Sequence, residues 1–417
     1  MKIYIPYGKK SIMLSIPEKN IQDIISGGET GRDIDERRVI EKALKNPIDS
    51  PRLRKMAEGK ANAVILASDI TRPCPSYRFL PLLIDELTAG GIRQENIKVI
   101  LGLGIHRCHT EEEKRKLAGD QVYNRVKVID SDPKETIHIG DTSSGTPVEI
   151  FREALGNDLM IATGNIEYHY FAGYSGGAKA VMPGVCSRNS IQANHSMMLD
   201  RRASAGRAVG NPVREDIEEA GRMAGIDYIF NVILDDNKKI IAAVAGKNNE
   251  AWLDGISIYD DIYMIETERP ADIVIASAGG DPKDLNLYQS QKALENVKDA
   301  VRPGGAIILA ASCHEGFGED VFEKWMQDAP DYDLISKRLK EDFVLGGHKA
   351  VAVARVISEK KVFLYSEFDR GSTEKMGFEK LEDIQSYIDD RLEEDKELKI
   401  TVIPCGRFAR VKGNRSR

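Results

Sequence analysis

No run of about 18–20 apolar residues, the length a membrane-crossing helix needs, occurs anywhere in this chain. Its first residues, MKIYIPYGKKSIML, read as an alternating strand rather than a charged leader followed by an apolar stretch, so the cytoplasm is the expected compartment. Cysteine is sparse. The five present, Cys74, Cys108, Cys186, Cys313 and Cys405, are odd in number, scattered and without CxxC spacing, which fits reduced packing thiols better than a disulfide framework or a structural zinc site. HExxH and HxH are missing, which argues against a conventional zinc hydrolase, and GxxxxGK[ST] is missing, which excludes a P-loop. No basic excess exists either: the formal net charge is −7, so neither nucleic acid nor an anionic membrane surface is an expected partner.

What is present is enough chain for two cores, at 417 residues with 41% hydrophobic and 30% charged. Apolar runs alternate with helical patterns. AVILASD (63–69) precedes a helix near 76–89, and KVILGLG (98–104) precedes a charged helix near 110–118. ADIVIASAGG (271–280) leads into a helix over 285–301, GGAIILAAS (304–312) into one near 319–328, and KKVFLYSEF (360–368) into one over 379–394. Such alternation predicts an α/β protein of two α/β domains with mainly parallel sheets and an interdomain active-site cleft. The segment ETERPAD suggests a division into 1–268, catalytic and cofactor-binding, and 269–417. The last strand, LKITVIPCG (398–406), has the composition to close either sheet, so 398–417 is available to pack back on the N-terminal domain.

Ligands of parallel sheets bind outside the carboxyl ends of the strands, so the loops after the apolar runs carry the chemistry. Of only seven histidines, His106, His169 and His195 fall at or just after such loops in the first half. Histidine there offers a proton acceptor near neutral pH or a neutral nitrogen for a transition metal, although each ring alone also suits a surface or core position. Phe171-Ala172-Gly173-Tyr174-Ser175-Gly176-Gly177-Ala178-Lys179 puts three glycines, a hydroxyl and an amine in one loop. Its backbone can approach a ligand closely, and a lysine crowded by apolar neighbours is a candidate for covalent attachment; the same composition also makes a plain turn before a helix. Asp69-Ile70-Thr71-Arg72-Pro73 ends the first strong strand and offers a guanidinium fork for a carboxylate, or simply a helix cap with a solvated arginine. In the second half, Tyr288, Gln289 and Lys292 occupy the first turns of a helix, with Tyr288 and Lys292 on one face.

Taken together, DITRP, GIHR, HYFAGYSGGAKAVMPG, NH at 194–195 and LYQSQK resemble the nickel-dependent lactate racemase family, over nearly the whole chain and in one order. The resemblance implies a racemase or epimerase of a small 2-hydroxy acid. The acid would be oxidised to its keto acid by hydride transfer to a nickel-pincer nucleotide (pyridinium-3-thioamide-5-thiocarboxylic acid mononucleotide), then reduced on the other face. It implies that Lys179 holds this cofactor through a thioamide bond and that His195 is the protein's nickel ligand. His106 and His169 are the implied acid/base pair, Arg72, Tyr288, Gln289 and Lys292 the substrate contacts, and Asp69, Ser175, Gly176 and Gly177 the further cofactor contacts. Cofactor-maturation enzymes are implied partners.

One departure touches the substrate. Where some of these racemases place a tryptophan, the segment LGGHKA around His348 reads as short, polar and glycine-rich, which predicts room for an acid longer or more polar than lactate. Two other functions are weaker on the residues. A nicotinamide-dependent hydroxy-acid dehydrogenase needs GxGxxG, and Gly102-Leu103-Gly104 is followed by Arg107 where the third glycine belongs. A non-catalytic nucleotide or anion sensor accounts for Lys179 and Arg72 but not for two histidines suited to proton transfer.

Overall fold

The computed structural model describes residues 1–417 apart from 26–33, 73, 236, 268, 329–330, 342, 345, 407–409 and 413–417. It forms two compact units, Thr30–Asp261 and Met1–Glu29 with Ile262–Arg417. Both are α/β. The first carries a six-stranded sheet in the order Ile240–Gly246, Tyr228–Leu234, Met160–Asn165, Ala63–Ser68, Ile97–Gly102, Lys127–Asp130. All its pairings are parallel except the edge strand Ile240–Gly246. Ala63–Ser68 and Met160–Asn165 are buried almost throughout, as strands covered on both faces must be, which is why they read as unbroken apolar runs. One covering helix, Ser76–Ala89, turns Phe79, Leu80, Leu83, Ile84 and Leu87 inward at helical spacing onto Ile65, Val99 and Phe230. Truncating one of these, Leu83→Ala, removes packing worth about 2–5 kcal/mol at such positions.

Strand order fixes where a ligand can sit in this unit. The chain begins at Ala63–Ser68, builds outward through Ile97–Gly102 to Lys127–Asp130, then returns to Met160–Asn165 on the other side of its first strand. Loops leaving the carboxyl ends of Ala63–Ser68 and Met160–Asn165 therefore diverge, and the gap between them is the topological switch point where doubly wound sheets take ligands.

The other unit repeats the plan with an all-parallel sheet ordered Glu379–Lys380, Lys361–Tyr365, Val301–Ala310, Ala271–Ser277, Ile400–Ile403, Ile21–Ile24. The division differs from the expected 1–268 and 269–417. The first 29 residues join the C-terminal unit, and the chain re-enters that unit at Ile262, residue 268 itself lying outside the described residues. The cause is burial. The start of the chain is not one strand but a hairpin, Lys2–Tyr7 with Lys10–Ser15, turned at Gly8 (φ 51°). Its inward residues Ile3, Ile5 and Leu14, with Ile16, share a core with Ile275, Ile308, Val402 and Ile388. Likewise Ile400–Ile403 pairs with Ala271–Ser277 and Ile21–Ile24, so the final strand closes the C-terminal sheet and does not pack back on the N-terminal domain. Arg410–Lys412 pairs with Met264–Glu266, while 407–409 and 413–417 of the tail lie outside the described residues. Among the described residues no helix is long and apolar enough to cross a membrane.

Candidate active site

At the end of Ala63–Ser68 the chain turns sharply and buries Asp69, whose carboxylate becomes the organiser of the loop. Thr71 donates its hydroxyl to both carboxylate oxygens at 2.9 Å, and His106 Nδ1 lies 2.7 Å from Oδ2. Burial works against the Asp69 carboxylate, but the hydrogen bond and charge of His106, then the charge of Arg72 and the Thr71 hydroxyl, outweigh it and hold its pKa below the usual carboxylate range. A carboxylate only accepts, so Nδ1 of His106 carries a proton, and in the neutral ring the lone pair is on Nε2. Asp69, expected as a cofactor contact, thus spends both oxygens on Thr71 and His106. Pro73 of the same motif lies outside the described residues.

A second histidine, which the sequence reading passed over, supports this loop from behind. His109 is buried, donates from Nδ1 to Asp130 Oδ1 at 2.7 Å and accepts the Ile70 N–H on Nε2 at 3.1 Å. Both ring nitrogens are spent on the fold. The GIHRCH loop itself packs on the Gly-rich segment: Gly104 donates to Gly184 O at 2.9 Å, and a Cβ on Gly102 would meet the Gly184 backbone at 3.0 Å. Those glycines serve backbone packing.

The Gly-rich loop is tied down carbonyl by carbonyl. Arg214 Nη1 donates to Tyr174 O at 3.3 Å and to Gly176 O at 3.2 Å, and Trp252 Nε1 donates to Ser175 O at 2.9 Å. Arg214 is buried, paired with Glu218 and stacked on Trp252, its Cζ 3.6 Å from the ring centroid. On the other side Gly177 donates to Asn231 Oδ1 at 2.8 Å. Ser175, expected to touch a cofactor, donates its hydroxyl to Asn165 O at 2.7 Å and accepts the Glu167 N–H at 2.9 Å, which holds the loop to the strand end. Gly176 (φ 79°) and Gly177 (φ 57°) are required by backbone and space together, since a Cβ on Gly177 would lie 2.8 Å from Arg214 Nη2 and 3.1 Å from the Trp252 ring. Gly177→Ala is expected to lower stability by about 1–3 kcal/mol, read as an earlier urea midpoint; an unchanged midpoint would contradict this packing.

What this frame presents is Lys179, in the short 3-10 turn Gly177–Ala180 instead of at the start of an α-helix. Protein surrounds its amine. Desolvation foremost, then the charges of Arg72 and Arg214, push the ammonium well below the usual lysine range, with Glu167 opposing. An ammonium so disfavoured gives up its proton at a lower pH than an ordinary lysine, and the amine is then a nucleophile.

Phe171 joins three of the candidates. Its ring meets His169 edge-on at 4.6 Å between centroids, His195 at 4.9 Å, and the Lys179 amine at 5.9 Å. His169 also stacks on Tyr170 at 5.3 Å, and its Nδ1 lies 3.3 Å from the Ala172 N–H. A backbone N–H only donates, so this Nδ1 accepts and the neutral His169 ring bears its proton on Nε2, opposite to His106. His195 ends the helix Arg188–Ser196, buried, with Nδ1 3.1 Å from Asn194 Oδ1. The structure thus gathers Asp69, Arg72 and His106 at one strand end and His169, Lys179 and His195 about one aromatic ring. Arg72, exposed, is the charge that links Asp69 and Lys179.

Tyr288, Gln289 and Lys292 belong to the C-terminal unit, on the helix Leu287–Val297 capped by Asn286. Lys292 donates to Gln289 Oε1 at 3.1 Å. The buried Lys349, missed in the sequence, lies over the Tyr288 ring at 3.3 Å and donates to the Tyr288 carbonyl at 3.1 Å. In the segment around His348, Gly347, His348 and Lys349 are buried in the helix Gly347–Glu359, His348 lies 5.5 Å from the Phe343 ring, and a Cβ on Gly347 would meet the Trp325 indole at 2.9 Å. Leu345 of that segment lies outside the described residues.

Two imidazoles with engaged Nδ1 atoms and a lysine whose ammonium is disfavoured thus lie on the strand-end loops of a doubly wound α/β unit, where such folds take small ligands. Comparison with known proteins narrows the class. Residues 7–206 match the lactate racemase N-terminal domain and residues 266–408 the lactate racemase C-terminal domain. A lactate racemase of Thermoanaerobacterium thermosaccharolyticum is 37% identical over 376 residues, 88% of each chain. One of Lactiplantibacillus plantarum is 32% identical over 423 residues, 97% of this chain and 98% of that one. The structure of the lactate racemase apoprotein from Thermoanaerobacterium thermosaccharolyticum superposes with a TM-score of 0.87 at 34% identity, covering 99% of this chain and 100% of that one. A Thermotoga maritima protein, at TM-score 0.63 and 18% identity over 92% of this chain and 99% of its own, shares the fold. The chain belongs to the lactate racemase family, and as such it is an isomerase.

Proposed function

We propose that the chain inverts the hydroxyl-bearing carbon of a 2-hydroxy acid, lactate or a larger or more polar analogue. The observation that carries this reading is the pair His106 and His169, whose Nδ1 atoms are both engaged by the protein, so that each ring meets a ligand through Nε2. Inversion needs a proton acceptor on one face and a proton donor on the other, roles that exchange with the starting enantiomer, and in the neutral rings His106 Nε2 offers the lone pair and His169 Nε2 the proton. Arg72 is proposed to bind the substrate, its guanidinium suiting the carboxylate. Incubating cofactor-loaded enzyme with single enantiomers of a panel of 2-hydroxy acids, resolved by chiral chromatography, tests it. Appearance of the opposite enantiomer from at least one acid is expected; inversion of none overturns the reading.

The cofactor we propose is the nickel-pincer nucleotide, which when bound supplies the reversible hydride acceptor that no side chain provides. The donor set fits it. Among the described residues no group of three or more His, Cys, Asp or Glu side chains is placed to hold a metal, so a single imidazole, His195, suits a nickel whose other ligands come with an organic group. Lys179, held as an amine, suits covalent attachment of that group; Gly176, Gly177, Ser175 and Asp69 shape the loops around it. Separate maturation enzymes are the partners this cofactor requires, and the cytoplasm is the compartment proposed. His195→Ala is expected to leave the organic part attached while nickel per loaded chain falls at least tenfold on dialysis, as for loss of a ligand. Metal analysis beside intact mass reads both, and wild-type nickel in the variant would remove His195 from the role.

A further inference from the structure

His195 does not choose its own protonation. Behind it the Asn194 amide is fully buried and donates from Nδ2 twice, to Val213 O at 3.1 Å and to Asp216 Oδ2 at 2.8 Å. Asp216, also buried, takes the Thr142 hydroxyl on its other oxygen. Both partners of Nδ2 are pure acceptors, so the amide cannot be turned over without setting its oxygen against two oxygens and losing two hydrogen bonds inside the protein. Its Oδ1 is therefore fixed toward His195 Nδ1 at 3.1 Å, and an amide oxygen can only accept. We infer that Asn194, oriented by Asp216 and Val213 O, holds His195 with its proton on Nδ1 and so makes Nε2 the nitrogen offered to the metal. Neither Asn194 nor Asp216 touches substrate; they are positioning residues, acting through the ring in the way outer hydrogen bonds set a metal-binding histidine. The inference rests on the proposal that His195 is the ligand, but the tautomer itself does not.

The test uses the full-length apoprotein and the loaded enzyme. Long-range proton–nitrogen correlation on histidine-labelled apoprotein, recorded where the ring is neutral, is expected to show His195 as the Nδ1–H tautomer in the wild type and to shift toward Nε2–H, the form histidine prefers in water, in Asn194→Leu. In the loaded enzyme, nickel is expected to pass to a chelator about 10–100-fold faster from Asn194→Leu than from the wild type. An Nε2–H ring in the wild type overturns the inference without any variant, so a poorly folding Asn194→Leu does not shield it. The same tautomer and the same nickel loss in a folded Asn194→Leu also overturn it. With the Nδ1–H form intact, equal nickel retention by wild type and His195→Ala sinks the ligand assignment and leaves the control of the tautomer standing.

Discussion

If the cofactor is attached as proposed, Lys179→Ala is expected to lose its covalent retention altogether. Attachment needs an unprotonated amine within a loop that fits the organic group, and Lys179 is the only lysine between Lys134 and Lys238. Its amine is kept from charging first by desolvation and then by Arg72 and Arg214. Because this pKa is lowered, raising the pH gains little for Lys179, whereas an ordinary exposed lysine would become a nucleophile only at high pH. Wild type and variant exposed to the same loading mixture and examined by intact mass should differ by the full adduct, present in one and missing in the other. Equal mass additions would show that another residue forms the bond.

The second large effect concerns the two histidines: in the proposed reaction His106→Ala and His169→Ala are each expected to abolish racemisation, since a complete inversion would use both, one to take the hydroxyl proton and one to return it on the opposite face. In single turnover each variant should still oxidise the enantiomer whose hydroxyl faces the surviving imidazole, so the two variants lose opposite enantiomers. The hydrogen bonds refine this. His106, with Nδ1–H given to Asp69, waits with a lone pair on Nε2; His169, with Nδ1 accepting from Ala172, waits with a proton there. His169→Ala should therefore give the faster first oxidation of the two. Removing a general base typically costs 10²–10⁴-fold, so trapped keto acid and cofactor absorbance resolve the outcome easily. Wild-type racemisation by both variants, or loss of the same enantiomer by both, would make one histidine structural.

How much of this was legible beforehand depended on whether the signal was local. Helix Ser76–Ala89 and strand Ala63–Ser68 were readable to the residue or nearly so, because a stripe of apolar side chains and an unbroken apolar run are properties of the segments themselves. The loops bearing His106, His169 and Lys179 were readable as strand-end loops for the same reason. What sequence could not show was partnership across distance. His109 looked no different from His106 until Asp130 and the Ile70 amide were placed beside it, and Arg214, Trp252 and Asn231 carry no motif, although they hold the loop that does. The hairpin at the start of the chain alternates clearly, but alternation says only that one face is buried and not against what.

That hairpin has a consequence in time. Ile3, Ile5, Leu14 and Ile16 find their core partners in strands that end with Ile400–Ile403, while the unit Thr30–Asp261 lies wholly between them in the chain. At a synthesis rate of roughly 5–20 residues per second, the first strand made waits on the order of 20–80 s for the last one it needs. The inserted unit, with a large core cluster drawn from its own residues, can be finished before then. The unit bearing Lys179 and the three candidate histidines thus matures first on the ribosome, while the hairpin of Lys2–Tyr7 and Lys10–Ser15 still lacks its core partners.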